Sequence, residues 1–335
     1  MSKIKVILVG LGPIGTMIGK YLASKEWIEI VGGIDIAKDL IGKDVGEHLG
    51  IGKLGVAITD DYDEAISKTK PDIAVVATVS YLDKVYPQLE KILEYGVDII
   101  STCEELSYPY IVDKKLAEKI DALAKKHGAT VLGTGINPGF LMDTLVITLT
   151  TACKEVHKIK VERQMDASTR RGPFQKKIGA GLTVEEFREK IDKKIISGHV
   201  GLEQSIALIA DAIGWKLNKI EVDPVEPVIS EKKVVTDFVT VEPGKVAGLK
   251  QSARGIVGDE AKIILEFRAY VGAPEEYDAI TIEGVPPINE KISPCVHGDH
   301  GTVAVIANMI PKVLKAPPGL LTMKDMTLPS YYSGE

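Results

Sequence analysis

Three glycines, Gly10, Gly12 and Gly15, stand at the spacing G-x-G-x-x-G directly after an aliphatic run. That spacing suits a backbone turn that binds a pyrophosphate. The first glycine permits the sharp turn, the second lets phosphate approach the main chain, and the third lets a helix pack closely on a strand. Pro13 occupies the first helical position, where no N–H is required, and Ile14 separates it from Gly15. Helix-start N–H groups and the positive end of the helix dipole attract anions. A second aliphatic run, Ile28 to Ile34, ends in Asp35. It stands about twenty residues beyond the last glycine, where a carboxylate accepts hydrogen bonds from the adenosine ribose. The chemistry implied is dinucleotide binding. Asp35 repels a 2′-phosphate and favours NAD, while Lys38 offsets part of that repulsion, so NAD and NADP both remain open.

Glu104 follows a third aliphatic run, Val97 to Ser101. A carboxylate buried there, beside a bound nicotinamide, has its pKa raised and can serve as an acid or base. Removing hydride from an amine needs such a base, because an ammonium nitrogen has no lone pair. The residues alone suit a second reading equally well, in which Glu104 and Glu105 decorate a helix start. Ala77, Thr78, Thr102, Cys103 and Asn137 end or follow strands and are expected to line the dinucleotide. Asn137 and Phe140 are also candidates for substrate, as a hydrogen-bonding group and an apolar wall; a turn asparagine before Pro138 and a core aromatic are the plainer readings. Arg163, Arg170 and Arg171 cluster where arginine is otherwise rare, and Arg163 is taken as the clamp for a substrate carboxylate. Solvated surface is the alternative for the cluster. His199 either meets substrate or caps the helix that follows it. His297, Asp299 and His300 lack an obvious fourth ligand, so no metal site is expected.

The elements that must position these groups alternate strand and helix through the first part of the chain. Strands are expected at Ile4–Val9, Ile28–Ile34, Ile73–Ala77, Val97–Ser101 and Thr130–Leu132, and helices at Tyr62–Lys68, Tyr81–Tyr95 and Val112–His127. The alternation is that of an N-terminal Rossmann-type, doubly wound parallel sheet, in which ligands bind at the carboxyl ends of the strands. The Gly- and Pro-rich run 133–139 marks a crossing into a second domain. There a helix is expected at Phe140–Cys153, then strands at Lys158–Met165, Lys219–Val225, Val234–Val241, Lys245–Val257 and Lys262–Val271. Two helices interrupt them, one opened by the capping box Thr183–Glu186 and one over Gly201–Ile213. This block reads as an α+β mixed-sheet domain for substrate binding and dimerisation. A helix at Val303–Leu314 is expected to return to the first domain. The division is thus 1–140 plus 301–335 against 141–300. Leu40–Gly55 is glycine-rich, shows little periodicity and reads as a loop carrying at most a short helix.

Composition narrows the partners. A net charge of −6 with mixed signs argues against nucleic acid as the main partner, because phosphate binding normally needs a basic face. No apolar run reaches membrane-spanning length, and Met1–Lys5 leads into the first strand without a signal peptide. Three scattered cysteines fit a reducing compartment, so a cytoplasmic protein acting on a small molecule is expected.

With these segments in view, the chain resembles the 2,4-diaminopentanoate dehydrogenases, the family that includes native NAD(P)-dependent amine dehydrogenases. The resemblance rests on GLGPIG at 10–15, STCEELSYP at 101–109, GTGINPGFLMD at 133–143, GHVGLEQSIALIADAIGW at 198–215 and ANMIPKVLKAPPGLLTMKDM at 307–326. It implies a fold similar to dihydrodipicolinate reductase and a homodimer. It also implies oxidative deamination of 2,4-diaminopentanoate at C4 to 2-amino-4-oxopentanoate and ammonia, with the reverse reductive amination of small ketones. The match to STCEE carries the family's acid–base carboxylate onto Glu104. The paired-histidine and lysine motif of the reductase is absent, and His300-Gly301 stands where smaller or hydroxylated residues are usual. A cyclic-imine reductase, another amino-acid dehydrogenase and a non-enzymatic dinucleotide sensor are the alternative readings of the same residues.

Overall fold

The run IKVILV forms strand β1 (Ile4–Val9), whose last four residues are buried on both faces, as a central strand of a parallel sheet requires. The computed structural model describes residues 3–334. After β1 come α1 (Pro13–Ala23), β2 (Ile28–Ile34), α2 (Val45–Leu49), β3 (Ile58–Thr59), α3 (Tyr62–Thr69), β4 (Ile73–Val76), α4 (Leu82–Leu93), β5 (Asp98–Ser101), α5 (Lys114–His127) and β6 (Thr130–Gly133). There follow α6 (Thr144–Thr150), β7 (Glu155–Asp166), α7 (Gly172–Lys177), α8 (Val184–Asp192), α9 (Leu202–Ala212), β8 (Lys219–Val222) and β9 (Glu226–Ile229). The chain continues through β10 (Val234–Val235), β11 (Thr240–Val241), β12 (Val246–Val257), β13 (Glu260–Tyr270), β14 (Tyr277–Val285) and β15 (Ile288–Ile292), then α10 (Gly298–Val313) and β16 (Gly319–Leu321). Two compact units result, Met1–Phe140 with Gly298–Glu335, and Leu141–His297.

The first unit holds a parallel sheet in the order β16-β6-β5-β4-β1-β2-β3. Its strand order reverses between β1 and β4, which makes the crevice outside their carboxyl ends the ligand-binding position of such a fold. Ile7, Val9, Ala74, Val76 and Ile99 pack under Ile66, Leu89 and Ile120 of α3, α4 and α5. Helix α5 stops where Gly128 turns left-handed (φ 71°), a conformation glycine adopts without strain.

The second unit holds a mixed sheet in the order β15-β14-β7-β13-β12-β8, with β9 also on β12. β7 and β13 run parallel and the remaining pairs antiparallel. Helix α9 packs on one face through Leu202, Ile206 and Ile209, against Val161, Leu265 and Ala253 of the strands. Thr183 and Glu186 form both hydrogen bonds of the capping box at α8.

Several elements depart from the expected bounds. The helix anticipated at Phe140–Cys153 begins only at Thr144, because the Asp143 carboxylate accepts the Thr144 N–H and caps it there. The single strand expected at Val234–Val241 is a hairpin. Thr236 breaks it by accepting the Phe238 and Val239 N–H groups on its hydroxyl. β8 ends at Val222, just before Asp223-Pro224, since proline cannot donate to a ladder. β14 and β15 have no counterpart in the expected list.

Candidate active site

The glycine turn lies at the carboxyl end of β1. Gly10 adopts φ +85°, and a Cβ on it would stand 2.7 Å from both the Ala77 carbonyl oxygen and Thr78 Cγ2. A Cβ on Gly15 would fall 1.8 Å from the Gly10 carbonyl oxygen, so α1 rests directly on the turn. At Gly12, the N-cap of α1, a Cβ meets nothing within 4 Å. Two glycines therefore serve close packing, and the middle one faces open space. Pro13 takes the first helical position, Ile14 follows half-buried, and the first turn of α1 carries no acidic residue. Those features fit a dinucleotide pyrophosphate on the backbone.

Asp35 is held from two sides. Its Oδ2 accepts the Leu11 N–H at 2.7 Å and its Oδ1 accepts the Ala37 N–H at 2.8 Å. Both oxygens keep a further lone pair for ribose hydroxyls. The nearby Tyr62 phenol is pushed up to about 12 by burial and, next, by the Asp35 charge.

Ala77 and Thr78 follow β4, with the Ala77 N–H on the Val9 carbonyl at 2.8 Å and the Thr78 hydroxyl on Gln88 at 2.9 Å. Beyond β5, the Thr102 N–H reaches the Val76 carbonyl at 3.0 Å and the Cys103 N–H reaches the Ser101 hydroxyl at 3.1 Å. Burial pushes the Cys103 thiol up to about 12, so it is neutral and not a nucleophile. Glu104 comes next, half-buried, opening a short 3-10 turn over Glu105–Ser107. The Glu105 carboxylate turns instead to α4, where its Oε2 accepts the Leu82 N–H at 2.6 Å.

After β6 the chain folds tightly over 133–139: a Cβ on Gly139 would stand 2.5 Å from the Gly135 nitrogen and from the Thr134 hydroxyl. The Ile136 N–H donates to Thr302 Oγ1 of α10 at 3.3 Å. Asn137 and Phe140 are half-buried in this loop, which leaves the same edge of the sheet.

Arg163 and His199 belong to the second unit, Arg163 within one row across its sheet and His199 stacked on a residue of that row. In register, Asp278 of β14, Arg163 of β7, Phe267 of β13 and Gln251 of β12 stand side by side. Arg163 is 2% exposed, with Nη1 on Asp278 Oδ1 and Nη2 on the Val296 carbonyl, each at 2.5 Å. The guanidinium expected to clamp substrate is thus committed to holding β14 and the Val296 segment. Arg170 is also buried, over the Phe174 ring. His199 stacks its ring on Phe267 with centroids 4.6 Å apart, and its backbone N–H donates to Gln251 Oε1 at 2.9 Å. The cap of α9 is Gly201, so His199 does not cap it. Burial, then the charges of Arg163 and Lys177, push the imidazole down to about 3, leaving it neutral.

Two contacts of the glycine turn escaped the sequence reading. His48 Nε2 lies 2.9 Å from the Leu11 carbonyl oxygen and 3.1 Å from Thr16 Oγ1. Thr16 adjoins the fingerprint and was open to notice; His48, in the aperiodic loop, gave no signal.

With this geometry in place, comparison with known proteins decides the family. The model of the 2,4-diaminopentanoate dehydrogenase C-terminal domain matches residues 140–335, and that of the dihydrodipicolinate reductase N-terminus matches residues 4–134. The 2,4-diaminopentanoate dehydrogenase of Acetoanaerobium sticklandii is 37% identical, over 100% of this chain and 96% of its own. The chain belongs to the 2,4-diaminopentanoate dehydrogenase family. Family membership makes it an NAD(P)-dependent oxidoreductase acting on amino groups. Among solved structures, the amine dehydrogenase from Mycobacterium smegmatis superposes with a TM-score of 0.83 at 27% identity, covering 99% of this chain and 98% of that one. Dipicolinate-bound dihydrodipicolinate reductase from Paenisporosarcina sp. TG-14 shares the fold, with a TM-score of 0.54 at 13% identity over 96% of this chain and 98% of that one. No helix among the described residues is long and apolar enough to cross a membrane.

Proposed function

We propose that the chain oxidatively deaminates 2,4-diaminopentanoate at C4, giving 2-amino-4-oxopentanoate and ammonia, and runs the reverse reductive amination on small ketones. The observation that carries this reading is the place of Glu104, half-buried just after β5 at the carboxyl edge that also bears the glycine turn. Gly10, Gly12, Gly15 and Asp35 hold NAD or NADP, with Ala77, Thr78, Thr102, Cys103 and Asn137 lining it. When bound, the dinucleotide supplies a nicotinamide that exchanges hydride with the substrate carbon.

Glu104 takes a proton from the substrate ammonium, freeing the nitrogen lone pair that forms the C=N bond as hydride departs. Water then replaces nitrogen, and ammonia leaves. In reverse, the same carboxyl group returns the proton to the departing hydroxyl. The two fixed oxygens of Asp35 favour NAD over NADP, since a 2′-phosphate would meet an ionised carboxylate.

The test is NADH oxidation with 2-amino-4-oxopentanoate, with and without ammonium. Ammonium-dependent oxidation supports the reading. Turnover without ammonium would replace it with reduction of a cyclic imine or of the ketone itself.

A further inference from the structure

The loop 40–55, which has no part in the fingerprint, braces the glycine turn from outside. Its anchor is Asp44, whose Oδ1 accepts the N–H groups of Glu47 at 3.1 Å and Leu54 at 2.9 Å. The Oδ2 accepts those of Gly55 at 2.7 Å and Val56 at 3.0 Å. Main-chain bonds from Val45 to Val56 and from Ile58 to Lys43 close the loop onto β3. One carboxylate thus gathers four backbone donors and fixes α2. That helix packs on α1 where glycine allows it: a Cβ on Gly19 would stand 3.0 Å from Leu49 Cδ2. The result is that His48, on α2, points at the turn.

His48 Nε2 is 2.9 Å from the Leu11 carbonyl oxygen, and a carbonyl only accepts, so the ring donates there through Nε2–H. The Thr16 hydroxyl donates to the same oxygen, also at 2.9 Å. On the other side of the residue, the Leu11 N–H is held by Asp35 at 2.7 Å. Leu11 lies between Gly10 and Gly12, and its carbonyl shares a peptide plane with the Gly12 N–H. In a trans peptide, C=O and N–H point in opposite directions. Fixing the Leu11 oxygen towards His48 and Thr16 therefore aims the Gly12 N–H the other way. Gly12 is also the residue whose Cβ position is open for 4 Å around.

We infer that His48 is a positioning residue for the dinucleotide. From a loop more than thirty positions downstream, it orients the peptide whose N–H meets the pyrophosphate, and so sets cofactor affinity without touching the reacting atoms. Thr16 shares the task.

The experiment measures NADH affinity by fluorescence titration, together with steady-state kinetics, for the wild type, His48→Ala, His48→Gln, Thr16→Val and the double variant His48→Ala/Thr16→Val. Loss of one neutral hydrogen bond predicts an increase of about three- to tenfold in the Kd for NADH in His48→Ala. The KM for the amine and kcat at saturating cofactor should move by less than about twofold, because the reacting groups are untouched. His48→Gln, whose amide nitrogen stands at the place of Nε2, should recover most of the affinity. The double variant should lose less than the product of the single losses, because both groups serve one oxygen. Unchanged affinity in His48→Ala, a glutamine no better than alanine, or equal losses in kcat and affinity would overturn the inference. Should His48→Ala not fold, Thr16→Val decides: weakened NADH binding with kcat retained supports the brace, and unchanged binding refutes it.

Discussion

Glu105 Oε2 accepts the Leu82 N–H at 2.6 Å, tying the turn after β5 to the first residue of α4. A carboxylate at a helix start satisfies an orphan donor and favours the local dipole. This contact gives Glu105 a part in the fold, whereas Glu104, its neighbour, is the residue proposed for the reaction. Glu105→Ala is expected to lower stability by about 1 kcal/mol, the usual value of an N-terminal cap. Turnover per folded molecule should stay near that of the wild type. Thermal denaturation paired with kinetics checks both; unchanged melting with lost turnover would reverse the assignment.

Arg163→Ala should act on stability and not on substrate binding. The pair with Asp278 is buried, and burial holds the Asp278 carboxyl above its ordinary value against the pull of Arg163. Removing the arginine strands that carboxylate and the Val296 carbonyl, at a cost of about 3–5 kcal/mol. Urea unfolding at neutral pH measures the loss. A stable variant with a raised KM for carboxylated substrates alone would restore the clamp reading.

Asp35→Ser should weaken NAD and narrow the gap to NADP. The carboxylate orders the Leu11 peptide and is the group proposed to meet the ribose hydroxyls. Losing charge-assisted bonds predicts a drop of about tenfold to a hundredfold in kcat/KM for NAD. The NADP value should hold or rise. The ratio of the two specificity constants is the readout, and an unchanged ratio would remove Asp35 from cofactor choice.

The first unit was legible because its signals are local. The aliphatic run of β1, the glycine spacing, Pro13 and Gly128 each act within a few residues of themselves. The capping box of Thr183 and Glu186 is local in the same way. β14 was missed for a physical reason. Its inward positions are Asp278, Ile280 and Ile282, and an aspartate at a core position disguises the alternation that marks a half-buried strand. Asp278 sits inside only because Arg163, more than a hundred residues earlier, is inside as well. His48 was invisible on the same ground, since its contact with Leu11 exists only once Asp44 has closed the loop. Glu104 could be nominated from its place after a strand, whereas the Glu105 contact with α4 depends on a residue more than twenty positions earlier and left no local mark.

Asp98 makes the stability of the first unit fall with rising pH. Burial pushes its carboxyl up to about 6, against the opposing pull of the Thr130 N–H at 2.7 Å. An unfolded aspartate titrates near about 4. The folded state therefore binds the proton more tightly, and this contribution, full at low pH, is lost as pH rises through about 6. Asp98→Asn keeps an acceptor for Thr130 without the charge. Its urea midpoint should depend less on pH between about 4 and 7 than that of the wild type. Parallel pH curves for the two proteins would contradict the assignment.

The amine chemistry proposed here depends on Glu104 moving a proton. The most direct measurement is the turnover of Glu104→Gln in ammonium-dependent NADH oxidation, alongside its Kd for NADH. General acid–base catalysis predicts a loss of about a hundredfold or more in kcat, with NADH affinity unchanged. Near-normal turnover in a variant that still binds NADH would contradict the account and return Glu104 to a structural role beside Glu105.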